Sequence, residues 1–170
     1  MLYRPTVTEE AEGSGMESQA RARRATVADL PEVVRLVSVM FADLGTATDA
    51  SWAARTGRVL AGRLWVDVGV LVVDAPTTGL AACAVGALHH GLPSPRRRTE
   101  TTGYVEWVVT DPAWRRRGHA LSVTAALVDW LVDEGAAVID VHASVAAAPL
   151  YRRLGFTGDG PVALRRRTAS

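Results

Sequence analysis

The spacing of hydrophobic residues predicts two helices in the first third of the chain. Apolar side chains recur every three to four residues from Val33 to Leu44, and Gly45 follows them. This pattern predicts an amphipathic helix that ends before the glycine. Weaker periodicity predicts a second helix over residues 51–64. A short edge strand over residues 22–25 is expected ahead of both.

Apolar runs in the middle of the chain predict three consecutive strands. The first covers residues 65–74 and the second residues 80–90, and the five residues between them include Pro76 and Gly79. This arrangement predicts an antiparallel hairpin. A third strand is predicted over residues 102–110, after a surface loop.

Helices and strands alternate in the last third of the chain. We predict a long helix over residues 117–135, a strand over 136–141, a short helix over 146–154 and a last strand over 156–165. The 136–141 segment is entirely apolar apart from Asp140, which is typical of a strand inside a sheet. The order of elements predicts an α/β (α+β) fold in which helices cover a mixed sheet.

Size and charge place further bounds on this protein. The chain has 170 residues, of which 48% are apolar, and its net charge is +1. These values are typical of one globular domain, which we expect over residues 20–170, behind a flexible tail at 1–19. The balanced charge gives no reason to expect binding to nucleic acid or to a membrane surface.

The sequence also lacks the patterns of several classes of site. Cys83 is the one cysteine, so neither an internal disulfide nor a cysteine-based zinc site can form, and an inert buried thiol is expected. The four histidines show no metal-binding spacing. No apolar run is long enough to cross a membrane, and the acidic first residues do not resemble a secretory signal. We therefore expect a cytoplasmic protein without a metal.

A strand–turn–helix unit over residues 108–121 carries the first candidate site. Gly118 directly precedes the long helix, and Arg115, Arg116 and Arg117 precede Gly118. A glycine there lets several main-chain N–H groups at the positive end of the helix dipole converge on an anion. The arginines can add charge to a diphosphate site, although three arginines before a helix are also often only a solvated surface.

Two segments resemble the GNAT N-acetyltransferase family. The run from Arg115 to Ala120 resembles the R/Q-x-x-G-x-G/A motif of that family, and the run from Leu150 to Phe156 resembles its L-Y-x-x-x-G-F signature. The resemblance implies a GNAT fold with six to seven strands and about four helices. It also implies acetyl-CoA as co-substrate, with no metal.

The resemblance further implies which residues contact coenzyme A. Main-chain amides from Arg115 to Leu121 would hold its diphosphate, and the main chain of Val108–Thr110 would pair with its pantetheine arm. The cofactor-binding residues expected on this basis are Val108, Val109, Thr110, Arg115, Arg116, Arg117, Gly118, His119, Ala120, Leu121, Ser144 and Tyr151.

Two catalytic residues follow from the same resemblance. Tyr151 lies where the family keeps the tyrosine that protonates the departing sulfur, although a tyrosine packed on the sheet is the structural alternative. Glu106 interrupts an apolar strand and, by the two-residue period, should face the same side as Val108. Burying an unpaired carboxylate is costly, so Glu106 should face a cleft, as a general base or as a structural partner. The main-chain N–H of Val108 is the expected donor to the thioester carbonyl.

The sequence departs from the family after its fifth strand. An asparagine is common there, whereas this chain has His142, Ala143 and Ser144. Ser144 can replace the asparagine, but capping of the next helix is the favoured reading. His142 can relay a proton or lie in solvent. We expect Trp52, Trp65 and Trp107 in the core, with Trp107 nearest to a ligand.

The sequence thus predicts an acetyl-CoA-dependent N-acetyltransferase that uses direct attack by a primary amine of a small molecule or peptide. A non-catalytic acyl-CoA sensor is the alternative. Arg96–Arg98 can border the acceptor or the adenosine phosphate, with a solvated loop as the favoured interpretation, and Arg165–Arg167 are expected to serve solubility. The sequence neither supports nor contradicts a homodimer, and it does not identify the acceptor.

Overall fold

The computed structural model describes residues 21–92, 95 and 99–158. Within them the chain forms five strands and four α-helices. The strands are β1 (Arg23–Arg24), β2 (Val68–Asp74), β3 (Leu80–His90), β4 (Thr101–Thr110) and β5 (Ile139–Val141). The helices are α1 (Leu30–Asp43), α2 (Ala50–Arg63), α3 (His119–Asp133) and α4 (Ala148–Arg153), with short 3-10 turns at Val27–Asp29 and Pro112–Trp114.

The five strands form one mixed sheet in the order β1-β2-β3-β4-β5. Neighbours from β1 to β4 are antiparallel, whereas β5 lies parallel to β4. The α+β class is therefore confirmed. The predicted last strand is not seen at residues 156–158, which are not in a strand, and residues 159–165 lie outside the described part of the chain.

Helices cover both faces of the sheet, which separates two hydrophobic clusters. On one face, α1 and α2 pack on the sheet through residues such as Val33, Leu36 and Leu60. On the other face, α3 and α4 pack through residues such as Leu127 and Tyr151. The apolar run from Val68 to Val73 in β2 follows from this arrangement, because both faces of the strand are buried there.

Strand β2 begins three residues later than the sequence predicts. Trp65 has a positive φ of 59° and lies in a tight turn that Arg63 and Asp67 close through an ion pair of 2.6 Å. The indole nitrogen of Trp65 donates a hydrogen bond to the carbonyl of Ala25, and its ring contacts Trp130 edge-on. Trp65 is thus a structural residue, as expected, but it lies in a turn and not in a strand.

A β-bulge in β4 changes which side chains face each cluster. Val85 of β3 pairs with Trp107 and Gly86 pairs with Val105, which leaves Glu106 without an opposite residue. An extra residue reverses the in–out alternation beyond it. Val105 accordingly packs in the α3 cluster, whereas Trp107 and Val109 pack in the α1–α2 cluster.

The bulge makes one prediction wrong. Glu106 does not share a face with Val108, because the two-residue period does not continue through an unpaired residue. Glu106 lines a pocket beside α2, while Val108 packs against the α3 cluster.

Candidate active site

A cleft opens where β4 and β5 separate. Their parallel pairing ends at Val105 and Val141, so the edge of β4 from Glu106 to Thr110 has no β5 residue opposite it. A cavity of about 940 Å³ lies along this edge, between β4, the start of α3 and the segment that leads into α4. We call it the donor cleft.

Most of the residues that the sequence predicts for cofactor binding line the donor cleft. They are Val108, Val109, Thr110, Arg115, Arg116, Gly118, His119, Ala120, Leu121 and Ser144. Arg117 and Tyr151 are not among the lining residues: the guanidinium of Arg117 lies over the ring of Trp114 at 4.9 Å, and Tyr151 is buried in α4.

The bulge sets the direction of the main-chain amides along the cleft. Before it, the amide of Gly103 donates to the carbonyl of Val138 on the β5 side; after it, the amide of Asp111 donates to Ala81 of β3 at 2.9 Å. Amides alternate in direction along an extended strand. Those of Val108 and Thr110 therefore point away from β3 and into the cleft.

The loop before α3 brings more amides to the same cleft. Arg116 and Gly118 both have left-handed backbone, with φ values of 66° and 82°. The first hydrogen bond of the helix runs from Ser122 to Gly118, so the amides of residues 119–121 precede it and have no carbonyl in an earlier turn. These free donors and the helix dipole are able to bind an anion.

The arginine side chains of this loop contribute less than the sequence suggested. The guanidinium of Arg115 binds Asp43 of α1 at 2.6 Å and the carbonyl of Thr110 at 3.3 Å. Arg116 lines the cleft. Two of the three arginines are thus held by protein groups, and the main chain supplies most of the donors.

Two further polar groups lie on the cleft. The hydroxyl oxygen of Thr110 is buried and has no hydrogen-bond partner among the described residues. Burial, together with the charge of Arg117, lowers the pKa of His119, so its ring is neutral at pH 7. The hydroxyl of Thr110 and the neutral ring of His119 are therefore available to a ligand.

Tyr151 lies on α4 with its side chain almost fully buried. Its residue is 8% exposed, and its ring contacts Phe156 edge-on at 5.6 Å between centroids. Burial raises the pKa of the phenol above its usual value, and Tyr104 raises it further. The phenol therefore keeps its proton at neutral pH, as a general acid must.

Ser144 and His142, which follow β5, make different contacts. The hydroxyl of Ser144 accepts a hydrogen bond from the amide of Ala147 at 3.2 Å, in the turn that leads into α4. The N-cap of α4 is Ala147 and carries no side-chain cap, so the favoured reading of Ser144 as the cap of this helix is wrong. The hydroxyl of Tyr104 forms a short hydrogen bond with Nδ1 of His142. Sequence reasoning did not single out Tyr104, because the pair joins strands that are far apart in the sequence.

A second pocket of about 370 Å³ lies on the α1–α2 side of β4. We call it the acceptor pocket. Its walls are apolar and aromatic, with Trp52 and Trp107 prominent, and both rings contact Phe41 edge-on, at 5.6 and 6.3 Å between centroids. Glu106 lines this pocket, which agrees with the expectation that it faces a cleft. Trp107 and Val108 are successive residues, so the two cavities lie against neighbouring residues of one strand. Met40 and Asp43 of α1 also line the donor cleft, which therefore extends to the α1 side of β4.

Three other sequence-based expectations concern residues away from the cleft. Cys83 is fully buried, and burial raises the pKa of its thiol to about 12, so it is not a nucleophile. Arg96–Arg98 and Arg165–Arg167 lie outside the described residues. Among residues 21–92, 95 and 99–158, no group of three or more His, Cys, Asp or Glu residues could hold a metal ion.

Across the same described ranges, no helix has the length and apolar character needed to cross a membrane. The cytoplasmic location remains a prediction.

Several solved structures share this fold. A predicted acetyltransferase with acetyl-CoA from Clostridium acetobutylicum is 21% identical, with a TM-score of 0.73, and the match covers 85% of this chain and 95% of that one. A GCN5-related N-acetyltransferase from Ralstonia eutropha JMP134 is 22% identical over 86% and 97% of the two chains, with a TM-score of 0.68. Glucosamine-6-phosphate N-acetyltransferase from Arabidopsis thaliana is 18% identical over 86% and 97%, also with a TM-score of 0.68.

No curated protein sequence matches the chain. The family model "Acetyltransferase (GNAT) family" matches residues 39–156, which include β2 to β5, the loop before α3 and the tyrosine helix α4. The chain therefore belongs to the GNAT acetyltransferase family.

Proposed function

We propose that this protein is an N-acetyltransferase that moves an acetyl group from acetyl-CoA to a primary amine of a small molecule or peptide. The observation that carries the proposal is the donor cleft, where an unpaired edge of β4 meets the free amides at the start of α3. This combination suits a ligand with an anionic end and an amide-containing arm.

The residues of the cleft fit coenzyme A. Acetyl-CoA supplies an activated acetyl group as a thioester. The amides of residues 119–121 would hold the diphosphate, and the unpaired main chain from Val108 to Thr110 would pair with the arm as with an added strand. The buried hydroxyl of Thr110, which has no partner among the described residues, would gain one.

The main chain of β4 would also serve the transfer step. The N–H of Val108 points into the cleft because of the bulge, and it would donate to the carbonyl oxygen as negative charge develops there. A fixed main-chain donor of this kind lowers the barrier without reorganisation of the site.

Glu106 and Tyr151 would handle the protons. Glu106, directly or through water, takes a proton from the ammonium form of the acceptor, and the neutral nitrogen then bonds to the acetyl carbon. The nitrogen loses its second proton to water as the carbon–sulfur bond breaks. Tyr151 gives its phenolic proton to the departing sulfur. The products are an N-acetylated amine and free coenzyme A.

Two measurements on the full chain test the proposal. Calorimetry with acetyl-CoA should show binding, and a thiol assay with a panel of primary amines should show amine-dependent release of coenzyme A. Binding without release for every amine would favour the sensor alternative. Failure to bind acetyl-CoA at millimolar concentration would overturn the proposal.

A further inference from the structure

The charged side chains of the acceptor pocket indicate which class of amine it binds, an inference that rests on the proposed function. We propose that the acceptor is a free amino acid with an apolar or aromatic side chain, bound through both its amine and its carboxylate.

The acceptor pocket is too small to enclose a large acceptor. The pocket measures about 370 Å³, near the lower end of the roughly 300–1,000 Å³ usual for small-molecule sites. Trp52, Trp107 and Leu60 form apolar surface inside it. A side chain of hydrocarbon or aromatic character would bury its surface against these residues, whereas a sugar or polyamine would leave polar groups without partners.

The charged side chains that line the pocket differ in whether they already form ion pairs. The guanidinium of Arg63 forms three hydrogen bonds to the carboxylate of Asp67, with distances from 2.6 to 3.1 Å, so its charge is already balanced. The charge of Glu106 acts on Arg63 from nearby. Arg55 is exposed and has no ion-pair partner among the described residues.

The lining therefore offers one carboxylate and one uncommitted guanidinium in the same small space. Glu106 suits the amine that it is proposed to deprotonate, and Arg55 suits a carboxylate, which it can bind with two parallel hydrogen bonds. A polyamine would place a second ammonium near the uncommitted guanidinium of Arg55, and this repulsion disfavours it. An amino acid satisfies both charges.

The test compares acceptors that differ only in the carboxylate. The ratio of kcat/KM for L-phenylalanine over L-phenylalanine amide, and over 2-phenylethylamine, should be at least about tenfold in the wild-type enzyme, since a hydrogen bond to a charged group contributes about 1.5–3 kcal/mol. L-Leucine should also be acetylated, whereas spermidine should be a poor acceptor. In Arg55→Gln the ratio should fall toward one.

Arg58 supplies the matched control, because it is an exposed arginine on the same helix that does not line the pocket. Arg58→Gln should leave the ratio unchanged. Equal rates with the amide or with 2-phenylethylamine, or a preference for spermidine, would overturn the inference while leaving the acetyltransferase proposal intact. So would binding of acetyl-CoA without detectable binding or turnover of either amino acid at millimolar concentration.

Discussion

The donor cleft and the acceptor pocket lie against neighbouring residues of one strand, yet they are built from different parts of the chain. The donor cleft consists mainly of main-chain groups, oriented by the bulge at Glu106 and by left-handed backbone at Arg116 and Gly118. The acceptor pocket consists of side chains from α2 and from the strands β2, β3 and β4, with Trp52 and Trp107 as its aromatic members. One region depends on backbone conformation and the other on residue identity.

This difference has a consequence for substitution. A main-chain site should tolerate the loss of a side chain but not a change of backbone conformation. A side-chain pocket should respond in the opposite way. Four substitutions test this contrast, beginning with the one expected to have the largest effect.

Tyr151→Phe should reduce kcat by about 100- to 1,000-fold, in the range expected for loss of a general acid. The ring would still pack on Phe156, so the melting temperature and the Kd for acetyl-CoA should change little. Steady-state kinetics and calorimetry would measure both.

The pH dependence of the wild-type enzyme gives a second readout for Tyr151. Because burial raises the pKa of the phenol above its usual value of about 10, the acid form is present up to that pH and is lost only above it. Activity should therefore show no Tyr151-dependent decline below about pH 10. An unchanged kcat in Tyr151→Phe would remove this residue from the mechanism.

Glu106→Gln should lower kcat by about 10- to 100-fold, since the amide cannot accept the proton of the amine. The Kd for acetyl-CoA should be unaffected, because Glu106 lines the acceptor pocket and not the donor cleft. Glu100→Gln is the control, as Glu100 is an exposed acid just before β4. Equal activity of the two variants would indicate that Glu106 has no catalytic role.

The same contrast explains how much could be predicted from the sequence. The loop before α3 could be predicted from the sequence because a main-chain anion site needs a glycine directly before the helix, and Gly118 lies at that position. Strand β3 was predicted to the residue, and the end of helix α1 was predicted to within one residue, because their apolar patterns are long and uninterrupted.

The acceptor pocket was harder to predict because its parts are distant in the sequence. Trp52 and Trp107 looked like core residues, and only the fold brings Trp107 together with Trp52 and Arg55 of α2. The side that Glu106 faces was wrongly predicted, since a bulge depends on pairing with β3 and leaves no local signal. The pairing of Arg115 with Asp43 is likewise a tertiary contact.

Gly118→Val should weaken acetyl-CoA binding by about tenfold or more. A Cβ at this position would meet no atom within 4 Å, so the cost is conformational: left-handed backbone costs about 1–2 kcal/mol in an ordinary L-residue and more in a β-branched one. Gly118→Ala should show a smaller loss in calorimetry.

Gly62→Val serves as the control for Gly118→Val, because Gly62 also has open space around it but lacks a positive φ. Its Kd for acetyl-CoA should match that of the wild type. If Gly118→Val bound acetyl-CoA within twofold of the wild type, the donor cleft would not depend on the backbone of this loop.

Arg115→Ala should have the smallest effect, at most about threefold on the Kd for acetyl-CoA, although Arg115 begins the family motif. Its guanidinium is already bound to Asp43, and because both side chains are about half exposed, the pair contributes only about 0–1 kcal/mol to stability. Asp43 also lines the donor cleft, so Arg115→Ala is the cleaner test, because replacing Asp43 would change the charge of the cleft directly. If the side chain bound the diphosphate, Arg115→Ala would weaken binding tenfold or more. If the main chain binds the diphosphate, the variant should stay close to the wild type, and the donor cleft and the acceptor pocket would then differ in kind as well as in position.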